Sequence, residues 1–392
     1  MIPLEERFER LTDLLTKHKD LYSQFDEAVF SSNSIEHPWI KEVIQFSTQD
    51  KVKFDCHRDG LILQDRNWRN CYLEIQKLSN FPKSYTSELK PNIIGKEKKQ
   101  HEFSNLYNNL GERCGQRAWD FGGGVGNLSH FLETHLKMNA TVIEKDPALI
   151  SKGKVRLAKH NSNIDFINCD ISASTKLDIP IPELAIGLHT CGNFATDMMR
   201  LCTDLELPEI INMGCCYSKI QKNDYSLNKK ADKSLLLNER ALGFATLGFQ
   251  PMPEEFYHYR NKIIDYKMSY YNYIFQVNNT VEFHSMSNSR RSLYDLSFHQ
   301  FMQRTYLKYH KKSLEEKGTK IDQFYQSPRN QQLLDYLKAY YSIARYFGEA
   351  IEAYIICDRA LFLKDSGYRV EIKEIFNPKL SPRNKGIFAV KA

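Results

Sequence analysis

The sequence predicts an α/β protein: a mostly parallel seven-stranded sheet ending in an antiparallel hairpin, with a helical amino-terminal region and a large helical insertion. Three observations predict it. Between residues 117 and 213, short β-like runs alternate with stretches whose apolar residues recur at helical spacing, the signature of successive βαβ units. The chain closes on two alternating runs joined by a connection that holds Pro378 and Pro382. One strand-to-helix turn, Asp120-Phe121-Gly122-Gly123-Gly124-Val125-Gly126, concentrates glycine where a ligand can approach the backbone.

Residues 1–94 read as helices with polar connections. Phe8, Leu11, Leu14 and Leu15 share a helical face, and Asn67–Leu78 carries a second one. Glu97–Leu110 is helical until Gly111 and Gly115 break it. The core, residues 95–218, predicts strands at Arg117–Phe121, Ala140–Glu144, Ile164–Cys169, Leu184–Leu188 and Glu209–Met213. Helices at Asn127–Leu136, Ala148–His160 and Phe194–Leu205 lie between them. Residues 366–392 return to the core as a hairpin of Tyr368–Phe376 and Gly386–Ala392. Residues 219–365 are then an insertion, rich in tyrosine and lysine and mainly helical, as in Gln331–Arg345 and Glu349–Phe362.

Hydrophobic residues at 42% and charged residues at 26% are ordinary for a globular chain and exclude disorder as its dominant state. A formal charge of +6 permits an acidic partner such as nucleic acid without demanding one. The amino terminus is charged throughout and lacks an apolar h-region, so it reads as an amphipathic helix rather than a signal peptide. No run of about 18 apolar residues predicts a membrane span. Nine cysteines, an odd number with no Cys-x-x-Cys pair, predict reduced thiols and a cytoplasmic location.

At the glycine turn, missing side chains and a helix N-terminus present backbone N–H groups to a ligand. A dinucleotide fingerprint requires glycine at its sixth position, and counting from Gly122 that position is Asn127. The acid-glycine spacing instead suits S-adenosylmethionine, with Asp120 facing its cationic amino-acid end and Gly122, Gly124 and Gly126 lining the approach. Glu144 ends the next strand, 24 residues after Asp120, where an acid accepts ribose hydroxyls. Asp170, after the third strand, is placed to accept from the adenine amino group. The rival reading is a tight turn with acids that cap helices.

In a parallel doubly wound sheet, the ends of strands four and five open onto the same crevice. His189, Cys191, Cys215, Cys216 and Tyr217 are therefore candidates for the methyl-acceptor pocket, with His189 as a general base or as a wall. His189, Cys191, Cys215 and Cys216 also have the ligand types of a zinc site. Adjacent Cys215 and Cys216 would point to opposite sides if extended, and on that ground no metal is expected.

Lys98-Lys99-Gln100-His101-Glu102, Asp120–Gly126, Leu188-His189-Thr190-Cys191-Gly192, Gly214-Cys215-Cys216-Tyr217, Cys357–Leu363 and Ser381-Pro382-Arg383-Asn384 occur in this order. Together they resemble the methyltransferase-like 25 family, one branch of which is named for a ribosomal RNA adenine dimethylase domain. The resemblance covers about residues 67–392 and implies a class I methyltransferase (Rossmann-like) fold with S-adenosylmethionine as cofactor. By the same resemblance, Lys99 and His101 border the cofactor or acceptor. Adenine dimethylases place Asn/Asp-Pro-Pro-aromatic after strand four. His189-Thr190-Cys191-Gly192 stands there instead, so that specific activity is not implied. A looser likeness to a family that methylates ribose 2′-oxygens of tRNA keeps RNA open.

Ser289–Lys312 sets Arg290, Arg291, Arg304, Lys308, Lys311 and Lys312 among Tyr294, Phe298, Phe301, Tyr306 and Tyr309. Such interleaving serves single-stranded RNA binding, though rings at helical spacing also form a buried face under a basic one. Lys219, Lys222, Lys229, Lys230 and Lys233 add a basic stretch after strand five. The expected activity is S-adenosylmethionine-dependent methyl transfer to RNA or protein, with no membrane or DNA partner. The rival readings are a small-molecule acceptor and a catalytically silent cofactor-binding adaptor.

Overall fold

The structure, a computed structural model, describes residues 2–23, 30, 37–88, 96–221, 225–228, 235, 237–247, 252–279 and 291–392. Of the residues singled out above, Lys222, Lys229, Lys230, Lys233, Ser289 and Arg290 lie outside the described ones. The chain divides into two compact units. The first joins Met1–Ser23, Glu74–Gln250 and Tyr346–Ala392, and the second joins Gln24–Leu73 and Pro251–Arg345.

Helices α1 (Leu4–Lys17), α2 (Pro38–Gln45), α3 (Thr48–Cys56), α4 (Arg66–Ser79) and α5 (Glu97–Leu110) come first. The alternating region follows as β1 (Arg117–Phe121), α6 (Asn127–Leu136), β2 (Asn139–Glu144), α7 (Pro147–Ala158), β3 (Asp165–Asn168), β4 (Leu184–Cys191), α8 (Asn193–Asp204) and β5 (Glu209–Cys215). Then come α9 (Glu239–Leu247), α10 (Tyr257–Asn278), α11 (Phe298–His310), α12 (Gly318–Gln326) and α13 (Pro328–Asp365), and last β6 (Tyr368–Glu374) and β7 (Lys385–Lys391). Local chemistry sets several starts. Asp146 accepts from the Ala148 N–H ahead of α7, whose first residue is Pro147, and Ser297 with Gln300 forms a capping box on α11.

The sheet order is β3-β2-β1-β4-β5-β7-β6. Strands β1 to β5 pair in parallel, and β7 runs antiparallel to both β5 and β6. Alternate residues feed the two faces, as the pleat requires. Ala118, Leu184, Ile186 and Ile211 pack with Leu106, Phe131 and Leu132 on one side. Trp119, Phe121, Ala185 and Ile210 pack with Met198, Met199 and Leu363 on the other. This is the class I methyltransferase (Rossmann-like) α/β fold that the sequence predicts, with its seven strands and final antiparallel hairpin.

Two elements depart from expectation. Helix α13 runs unbroken through the two helical stretches Gln331–Arg345 and Glu349–Phe362, across Gly348. That glycine is needed for packing: a Cβ there would lie 2.5 Å from the Phe244 carbonyl oxygen. Strand β4 continues past Leu188 to Cys191, with a register shift between Leu188 and Thr190 that leaves His189 at φ 62°. In addition, α1 and residues 346–365, read from the sequence as helical additions, belong to the unit that holds the sheet.

The second unit has its own aromatic core. Trp39 meets Trp68 edge-on with centroids 5.1 Å apart, and Tyr266 contacts Phe298, Phe301 and Tyr325. Tyr294, Phe298 and Phe301 are buried, whereas Arg304, Lys308, Lys311 and Lys312 are exposed. Three of the five rings weighed as RNA-stacking groups are thus core residues under a basic face. Among the described residues, no helix is long and apolar enough to cross a membrane.

Candidate functional site

The carboxyl ends of β1, β2 and β4 carry the site. After β1 the chain turns through Gly122 (φ 68°), Gly124 (φ 59°) and Gly126 (φ 74°), the last being the N-cap of α6. At Gly124 the outer face is open, because a Cβ there would meet nothing within 4 Å. A ligand can therefore lie against this backbone, and a side chain would occupy the same space.

Asp120 sits beneath the turn rather than on its open face. Its Oδ2 accepts from the Ser129 N–H at 3.2 Å and the Ser129 hydroxyl at 2.8 Å, which binds the loop to the first turn of α6. The side chain is buried, and burial pushes its pKa up to about 6 despite those two bonds. Glu144 accepts from the Gly124 and Asp146 N–H groups, each at 3.0 Å, so it braces the turn from the end of β2. Asp170 follows β3, exposed, with Lys145 at 3.8 Å.

Helix α5 approaches with residues from successive faces. The Lys99 ammonium lies 5.1 Å from the Phe103 ring centre, and burial lowers its pKa against the pull of Glu102 and Asp120. His101, expected to border the cofactor, does not face the turn. It is buried, its Nε2 accepts from the Asn377 N–H at 2.8 Å, and its ring contacts Tyr85 and Phe376. It fastens α5 to the β6–β7 connection.

The residue next to it is Glu102, the last of the Lys98–Glu102 motif. Its buried Oε1 accepts from His189 Nε2 at 2.9 Å and from the Ser381 hydroxyl at 2.7 Å, with the Lys98 ammonium at 3.5 Å. Burial alone would raise this carboxyl, but the bonds from His189 and Ser381, with the Lys98 ammonium nearby, more than offset it. Glu102 is held below the usual glutamate range. The bulge at His189 makes the pairing available, since an extra residue in a strand re-aims its side chain.

Cys191 and Cys215 are register partners across β4 and β5, with their sulfurs 3.2 Å apart. The contact with Cys215 lowers the Cys191 thiol, and the same contact together with burial raises that of Cys215. Tyr217 departs from expectation: it is buried, its hydroxyl reaches the Gly214 carbonyl at 3.5 Å, and Arg359 lies over its ring. It follows the left-handed turn at Cys216, and its side chain is packed in the interior. The start of α8 reaches the glycine turn, because a Cβ on Gly122 would stand 2.9 Å from the Phe194 ring.

Residues 98–223 match a family model described as a methyltransferase domain. Among solved structures, similarity extends to a protein from Pyrococcus horikoshii OT3, with 16% identity over 31% of this chain and 59% of that one, at a TM-score of 0.25. It extends also to a methyltransferase from Pyrococcus furiosus, at 14%, 32%, 66% and 0.25. An S-adenosylmethionine-dependent methyltransferase from Clostridium acetobutylicum ATCC 824 gives 15%, 24%, 41% and 0.20. The chain spans less than two thirds of each of these, and the strand order of the sheet itself carries the fold. Residues 98–223 are thus similar to a methyltransferase domain.

Proposed function

We propose that this chain is an S-adenosylmethionine-dependent methyltransferase of the methyltransferase-like 25 family and that its acceptor is a protein. The observation that carries the catalytic reading is the meeting of Glu102, His189 and Ser381 at the end of β4, one strand from the glycine turn. These residues come from three of the segments on which the family resemblance rests.

Gly122, Gly124, Gly126 and Glu144 would hold the cofactor, Lys99 would border it, and Asp170 would take its outer end. Asp120 would act from below by fixing the turn. When bound, S-adenosylmethionine supplies an electrophilic methyl group on a sulfonium. The chain's own residues then position the acceptor and manage its proton. Ionised Glu102 requires the hydrogen on His189 Nε2, which leaves Nδ1 as the ring nitrogen that takes a proton from the acceptor. This is the carboxylate–histidine arrangement in which the acid fixes tautomer and orientation. Cys191 flanks it.

The choice of protein rests on charge. A cavity of about 180 Å3 is lined by Glu349, Glu352 and Glu374 against Lys385 and Lys83, together with Pro382 and Asn384. We take it as the acceptor's seat because Pro382 and Asn384 on its wall follow Ser381, which bonds Glu102, and its three carboxylates against two lysines suit a cationic side chain and oppose phosphate. Tritiated methyl transfer from S-adenosylmethionine into fractionated lysate tests this reading. The label is expected in protease-sensitive material, and nuclease-sensitive label would overturn the acceptor class.

A further inference from the structure

Beside the Glu102–His189 pair lies a cluster that the methyl-transfer reading does not use. Cys191 ends β4, Cys215 ends β5, and the two are register partners, so their side chains leave the same face of the sheet. Cys216 would face the opposite side of a continuing strand. Instead it adopts φ 49° and ψ 49°, and this left-handed turn brings its sulfur to 3.6 Å from that of Cys215. All three sulfurs lie within 4.8 Å of one another. The extended geometry that argued against a metal is thus absent.

A cysteine in this backbone region is strained, and such strain concentrates at functional sites. His189, φ 62°, is a second case in the same place. Four thiolates around zinc, each about 2.3 Å from the metal in tetrahedral geometry, stand about 3.8 Å apart. The present sulfurs, at 3.2 and 3.6 Å where neighbours, need only small movements to reach that spacing. Cys215 is buried while Cys191 and Cys216 are half-exposed, so an ion has a protected anchor and a way in.

We propose that Cys191, Cys215 and Cys216 bind one borderline-soft divalent cation of the zinc class, with a fourth position left for a further ligand. Each S–H bond breaks as its proton passes to solvent, and the sulfur's electron pair forms the bond to the metal. Three thiolates and one dication carry a net charge of −1. Lys219, which acts electrostatically on Cys191, opposes that charge. The inference does not depend on methyl transfer, because it concerns metal affinity alone.

The test uses the full chain, reduced and stripped with a chelator, and titrated with cobalt(II) and then zinc. One equivalent of cobalt should give a thiolate-to-cobalt charge-transfer band that zinc abolishes. Even partners outside the ligand shell change metal affinity by about 10–100-fold. Cys216→Ser and Cys191→Ser should therefore each weaken binding by roughly 100-fold or more. Cys114→Ser, at an exposed cysteine outside the cluster, should leave it unchanged. Near-ultraviolet dichroism of the metal-free variants confirms folding, and if one variant is unfolded the other decides. No thiolate band in the wild type, or an unchanged band in a folded Cys216→Ser or Cys191→Ser protein, would overturn the site.

Discussion

Replacing Glu102 by glutamine keeps the side chain's shape and an acceptor for Ser381 but removes the charge facing His189. Hydrogen bonds to charged groups contribute about 1.5–3 kcal/mol, against about 0.5–1.5 for neutral ones. With bonds of 2.9 and 2.7 Å to one buried oxygen, the variant should be destabilised by roughly 1–3 kcal/mol at neutral pH. The sign follows from the titration. Glu102 ionises below its ordinary value of 4.5 in the folded chain, so its contribution is full above that value and disappears as pH falls through the depressed one. Urea denaturation near pH 7 should show the gap, and the gap should shrink as pH falls below 4.5. Methyl transfer should drop about tenfold, with S-adenosylhomocysteine affinity preserved within a few fold. A stability gap that does not shrink as pH falls below 4.5, or no gap at neutral pH, refutes an ionised Glu102 as the partner of His189.

Gly124→Val fills the open face of the turn and strains a residue at φ 59°. Calorimetry should show S-adenosylhomocysteine affinity falling by well over tenfold while the sheet still forms. Glu144→Ala should weaken the same ligand by roughly 1–3 kcal/mol through lost acceptors and a loosened Gly124 N–H, and unchanged affinity would leave Glu144 a brace only. Asp120 titrates near 6 instead of 3.8, so its contribution is full below about pH 4 and is lost as pH rises through about 6, at a cost of about 3 kcal/mol. Asp120→Asn should gain stability relative to wild type over that range. A difference independent of pH would contradict the buried titration.

Local pattern made the fold legible. Alternating strands and helices, the glycine turn and the closing hairpin are short-range signals, and the sheet follows from them by the rules of parallel topology. The places of Asp120, Glu144 and Asp170 at or just beyond strand ends were legible for the same reason. The pairing of Glu102 with His189 was not, because it joins residues 87 apart and depends on a bulge that no sequence periodicity marks. Cys216 misled in the same way: a left-handed cysteine has no local signal, so alternation placed its side chain on the wrong side. Asp120 read as a ligand contact because its Ser129 partner lies one helical turn beyond the glycines. At Gly348, a residue that usually interrupts a helix serves close packing against Phe244, which is invisible without the tertiary contact.

The central claim is that binding and transfer are divided between the glycine turn and the Glu102–His189 pair. Methyl transfer and S-adenosylhomocysteine affinity, measured side by side on wild type and His189→Ala, test it most directly. The expected result is label transferred to acceptor by the wild type, a large loss in the variant, and cofactor affinity equal within a few fold. Normal turnover by His189→Ala on the same acceptor would contradict the claim.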